Sequence, residues 1–171
     1  MPKEATAFRT VVTAGAISGS LDISAAFIRA GLSGISPARV LRFIASGLLG
    51  PQAFTGGAAA AACGALAHFT IAFTASLVFY LASRRLSFLA DRPIISGALY
   101  GIAVWAVMNM VVVPLSAVPH RGQSAEDVII GAVILIFCIG LPNSFIVRWS
   151  AKSQAHPIPL ALPKQEPSAL R

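Results

Sequence analysis

GAAAAACGALAHFTIAFTASLVFYLAS, residues 57–83, contains no Asp, Glu, Lys or Arg. A helix of that length rises about 1.5 Å per residue to roughly 40 Å, enough to cross a bilayer even when tilted. One strongly polar side chain, His68, sits inside it. The stretch therefore reads as a transmembrane helix, and the rest of the chain follows from it.

Only 11% of the 171 residues are charged, against about a quarter in soluble domains, while 56% are hydrophobic and the mean hydropathy is +0.78. A soluble core of this size has no use for so much apolar surface. The net charge of +7 does not point to nucleic acid, because the Lys and Arg stand singly or in pairs between apolar runs instead of forming one basic face. It fits a topological signal better.

Outward from 57–83 the pattern recurs, giving spans at about 10–29, 94–118 and 127–147. Asp22 lies well inside the first, and together with several Ser it makes a poor signal-peptide core. Ser36 followed by Pro37 predicts an N-cap and a first helical residue. The helix it opens, about 37–49, carries Val40, Phe43, Ile44, Gly47 and Leu48 on one face and Arg39, Arg42 and Ser46 on the other. At 13 residues it is too short to span, so it is expected in the interface plane or dipping into the membrane, with Arg39 and Arg42 as candidate contacts to lipid phosphates. Pro114 predicts a kink near the end of the third span. The Pro-rich segment 151–171 reads as a disordered cytoplasmic tail after a four-helix transmembrane domain, 1–150. The fold class is all-α and polytopic: four transmembrane helices plus one short interfacial amphipathic helix.

Four spans place both ends of the chain on one side. Nine Lys or Arg lie there (Lys3, Arg9, Arg84, Arg85, Arg92, Arg148, Lys152, Lys164, Arg171), against four on the other side (Arg29, Arg39, Arg42, Arg121). The positive-inside rule then gives cytoplasmic termini.

Ionisable groups at membrane depth are costly and ask for partners. Counted from the cytoplasmic ends, Asp22 lies roughly 18 Å in, His68 roughly 21 Å and Asn109 roughly 22 Å. Asp22 shares a face with Gly15 and Gly19; His68 follows Ala60 and Gly64 and precedes Ala72 and Ser76 at steps of four. Small residues at that spacing mark close helix contacts in membranes. An Asp22, His68, Asn109 cluster inside the bundle is expected. Two readings of it stay open: a structural or accessory protein with a register-fixing polar contact, or a small proton-coupled transporter or ion conductor using Asp22 and His68.

No cofactor or metal site is expected, since His68 is the only His within a span while His120 and His156 fall in the loop and tail. Cys63 and Cys138 fall inside different spans at depths about 8 Å apart and read as packing residues rather than a disulfide. No G-x-S-x-G, HExxH or phosphate-cradling loop occurs, so no enzyme is expected. Glu126 and Asp127 open the fourth span, where acids meet a helix's positive end. The expected partners are membrane lipids and a second copy or another membrane protein. Gly15-Ala-Ile-Ser-Gly19 and Gly97-Ala-Leu-Tyr-Gly101 look alike, but Gly and Ala are common enough here for chance.

Several features together resemble the uncharacterised four-span inner-membrane proteins of bacteria. They are Gly19 with Asp22, the run PARVLRFIASGLLG at 37–50, Ala67-His68-Phe69, Tyr100-Gly101, Met108-Asn109, Pro114-Leu-Ser116 and Gly140-Leu-Pro142. The resemblance covers most of the chain up to the tail and implies a bacterial inner-membrane location, with no activity, substrate or cofactor attached. Asn143 and Ser144 depart from the more apolar exit that the resemblance implies after Pro142.

Overall fold

The computed structural model describes residues 3–118 and 124–155. His120, Arg121, His156 and the Pro-rich segment 156–171, expected to be disordered, lie outside the described residues. Among the described residues all regular structure is helical. The elements are α1 (Lys3–Leu32), α2 (Pro37–Leu49), α3 (Gly57–Arg85), a single turn α4 (Phe88–Asp91), α5 (Pro93–Val107), a short α6 (Val113–Leu115), α7 (Ala125–Leu135) and α8 (Leu141–Ala155). A π-turn at Met108–Val112 joins α5 to α6, and another at Ile136–Gly140 joins α7 to α8. Four helices are long and apolar enough to cross a membrane: Ala5–Leu32, Gly57–Arg85, Pro93–Leu115 and Ala125–Ser153.

The helix boundaries follow local chemistry. Gly34, at φ +71°, takes the left-handed conformation that ends α1, and Ser36-Pro37 opens α2 as the sequence predicts. Ser124 caps α7 reciprocally: its hydroxyl accepts from the Asp127 amide and its amide donates to the Asp127 carboxylate. The last helix runs on to Ala155, so residues 151–155, expected in the tail, continue it.

Both π-turns stand two residues before a proline, Pro114 and Pro142. A proline ring clashes with the carbonyl four residues back and removes a donor. Widening the preceding turn relieves the clash without breaking the span. The kink expected at Pro114 thus takes the form of a π-turn, and Pro142 has the same effect on the fourth span.

Helix α1 packs on α3 at one side and on the α7–α8 helix at the other, and α5 packs on α7–α8. Water does not drive these contacts inside a bilayer, so close approach of small residues replaces a large-residue core. A side chain at Gly19 would meet Ala72 and the Phe69 ring at 3.0 Å, and one at Gly15 would run into Phe73. Gly97 abuts Leu141 and Gly140, and Gly101 abuts Ile136. Between α3 and α5, Tyr100 donates its hydroxyl to the Ala75 carbonyl at 2.6 Å and stacks on Phe79 at 4.8 Å. Large side chains such as Leu66, Met110, Leu115, Phe137 and Trp149 point outward, as lipid-facing positions should.

The amphipathic helix α2 does not stand apart from the bundle. Its Leu41 carbonyl fills the space where Gly64 of α3 lacks a side chain, and Ala45, Ala53 and Ala60 form a buried cluster with Cys63 packed against it. Arg42 spends its guanidinium on the carbonyls of Ala38 and Phe54, both at 3.3 Å, whereas Arg39 is exposed. The Gly47 carbonyl accepts from the Ala117 amide at 3.0 Å, tying α2 to the end of the third span as well.

Candidate functional site between the first and second spans

Asp22 and His68 do meet. His68 Nδ1 lies 4.0 Å from Asp22 Oδ2, with 12% of the His68 side chain and 22% of the Asp22 side chain exposed. The glycine face of α1 lets the imidazole come this close, and Phe69 backs it edge-on at 5.3 Å. The other ring nitrogen, Nε2, lies 2.9 Å from the Gly19 carbonyl oxygen. A carbonyl only accepts, so Nε2 carries the proton and Nδ1 is turned toward the carboxylate. At 4.0 Å the pair exceeds hydrogen-bond length. His68 is thus anchored on α1 through Nε2, while Nδ1 faces the Asp22 carboxyl group without a hydrogen bond between them.

Asn109 does not join them as expected. Its Nδ2 donates to the Trp105 carbonyl, 2.9 Å away and one turn back on its own helix. Helix register explains why. Gly97 faces Gly140 and Gly101 faces Ile136, so the residue level with Cys138 is about 99, and Asn109 stands roughly 15 Å further along. The element that does pack on α1 from the fourth span is the π-turn Ile136–Gly140, which carries Cys138. The expected three-residue cluster is thus an Asp22–His68 pair. Among the described residues no three His, Cys, Asp or Glu side chains converge as a metal site.

Toward the Thr10 end of α1, a set of fully buried polar side chains fills the helix contacts. Ser18 donates to the Ala14 carbonyl at 2.6 Å, Ser144 to Leu141 at 2.8 Å and Asn143 Nδ2 to Ile139 at 2.8 Å. Among the described residues, two buried atoms, Ser76 Oγ and Asn143 Oδ1, have no hydrogen-bond partner. Nearer the chain end, Thr10 and Ser150 hydroxyls join α1 to α8 at 2.7 Å. At the opposite end of the bundle Arg29 pairs with Asp127, both half-exposed, so the acid that caps α7 also staples α1 to it.

Sequence reasoning missed three of these features. Arg29 and Asp127 carry opposite charges at the same membrane boundary, which was the available signal for their pairing. Cys138 and Asn143 gave no such signal, because a lone Cys and a polar residue beside a proline also fit a packing residue and a helix exit.

The fold and the site define a class: an all-α bundle with four helices able to cross a membrane and a titratable pair between the first two. The chain matches no family model, no curated protein and no solved structure.

Proposed function

We propose that this chain is a structural or accessory protein of the bacterial inner membrane, both termini cytoplasmic, whose Asp22–His68 pair fixes the register of α1 against α3. The observation that carries the reading is the 2.9 Å bond from His68 Nε2 to the Gly19 carbonyl, made across the helix contact that Gly15, Gly19 and Ala72 build. A side chain held by another helix's backbone is suited to holding that helix in place. The reading assigns the chain no catalysis and takes lipids, a second copy or another membrane protein as its partners.

A second reading, proton or small-ion conduction through Asp22 and His68, has one observation in its favour. Two ionisable side chains face each other across a helix contact at 4.0 Å, and ionisable groups within spans mark proton routes.

Native Cys138 separates the two readings. With Cys63→Ser it becomes the chain's single thiol, carried by the π-turn that packs on α1. The structural reading expects it to resist a membrane-impermeant thiol reagent from both sides while a Ser33→Cys control reacts. Modification of Cys138 from either side at a rate near the control's would overturn that reading in favour of conduction.

A further inference from the structure

Away from the Asp22–His68 pair, a cavity of about 380 Å³ opens where α3, α4 and α8 come together. Tyr80, Ser83 and Arg84 line it from α3, Val147 and Ser150 from α8, and the remaining wall is alanine. Among the described residues no acidic side chain lines it. Arg84 stands one residue before the end of α3, which places the cavity at the headgroup depth of the membrane.

The chemistry of the lining is one-sided. Among the described residues no carboxylate pairs with Arg84, and the Tyr80 hydroxyl makes no described hydrogen bond, so two strong donors are available. The Ser83 hydroxyl donates to the Tyr80 carbonyl at 2.7 Å, a local bond that it can exchange for an oxygen entering the cavity. Arg85, Arg92, Arg148 and Lys152 occupy the same end of the bundle, with Asp91 beside them and Glu4 in the first turn of α1. Arg148 holds the α4 wall in place by donating to the Asp91 carbonyl at 2.7 Å, which leaves its own charge uncompensated.

A guanidinium with a phenol beside it, over an apolar floor and inside a basic field, matches a phosphate oxyanion joined to an apolar body. We infer that this cavity binds the phosphodiester headgroup of an anionic phospholipid, with Arg84 and Tyr80 as the recognising donors. The same donors would take inorganic phosphate, but a site at headgroup depth is presented first to lipid. Independence from Asp22 and His68 means that the inference stands or falls separately from the function proposed above.

The test is titration of the purified full chain in neutral detergent with phosphatidylglycerol, phosphatidylcholine or inorganic phosphate, read by native mass spectrometry and thermal unfolding. Phosphatidylglycerol is expected to be retained and to raise the melting temperature, and phosphatidylcholine to do neither. Arg84→Gln should weaken phosphatidylglycerol binding by about tenfold and Tyr80→Phe by less, while Arg29→Gln, at the opposite end of the bundle and paired with Asp127, leaves it unchanged. Arg84→Lys keeps the charge but loses the fork, so weakened binding in a variant that melts like the wild type excludes misfolding as the cause. Equal binding by wild type and both Arg84 variants would overturn the site. Saturation by inorganic phosphate that displaces the lipid at equal concentration would overturn the lipid assignment.

Discussion

His68 carries two interactions of different kinds, and they predict different costs. Its Nε2 bond to Gly19 is a neutral hydrogen bond across two helices, and its Nδ1 faces a carboxylate beyond bonding distance. Removing the ring loses the bond and leaves Asp22 facing a void at membrane depth, so His68→Ala should destabilise the bundle by about 1–2 kcal/mol. Asp22→Asn keeps the Gly19 bond and replaces the carboxyl group by an amide of the same size, and should cost less than about 1 kcal/mol. Unfolding titrations of both variants in mixed micelles give the order directly. A larger loss for Asp22→Asn would mean that the carboxylate, not the backbone bond, sets the register. These two residues were legible because each is a strong polar group in an apolar run, on a face marked by small residues at steps of four. Asn109 was not, since depth counted from an assumed first residue carries no information about how glycines slide one helix along another. Asn143 beside Pro142 resembled a helix exit until packing showed it fully buried.

At the scale of elements, the glycines decide which helices can touch, and their neighbours decide what a methyl group does. At Gly64 the added carbon would meet the Leu41 carbonyl, part of the α2 backbone, which cannot rotate away. Gly64→Ala should therefore push α2 off α3 and uncover Ala45 and Ser46. The expected signs are faster amide exchange across 37–49 and a stability loss of about 1–3 kcal/mol. Gly31→Ala is the control, since nothing lies within 4 Å of a side chain there and the substitution favours helix by up to about 1 kcal/mol. If exchange in α2 is unchanged in Gly64→Ala, the docking of α2 on α3 is not maintained in the membrane. The existence of α2 and its amphipathic faces came from Ser36-Pro37 and the spacing of Val40, Phe43 and Ile44. Its partner did not, because Ala60 and Gly64 mark a close approach without naming the helix that makes it. The likeness of Gly15/Gly19 to Gly97/Gly101, which composition makes unremarkable, coincides with function at this scale: both pairs are the contact faces of their helices.

Orientation belongs to the whole molecule, and there the described contacts sharpen the charge count. The four-span reading assigns nine Lys or Arg to the side of the chain ends and four to the other. Of those four, Arg29 is paired with Asp127 and Arg42 donates to the Ala38 and Phe54 carbonyls, so Arg29's charge is compensated and Arg42's head is held against the protein. On the side of the chain ends, by contrast, Arg84 has no carboxylate partner among the described residues and Arg148 donates to a neutral carbonyl. The count favours both ends cytoplasmic, and that orientation should survive loss of a positive charge from the other side, which only widens the bias. A C-terminal green fluorescent protein fusion is expected to fluoresce and a C-terminal alkaline phosphatase fusion to stay inactive, with the reverse for reporters inserted at 33–36. Arg29→Gln should leave that pattern intact, because it removes a positive charge from the side that carries fewer. Joint replacement of Arg84 and Arg85 by Ser should produce a mixed population, since it takes two uncompensated charges from the retained side. An active phosphatase at the C-terminus of the unaltered chain would reverse the orientation and place the Arg84 end of the bundle at the outer leaflet.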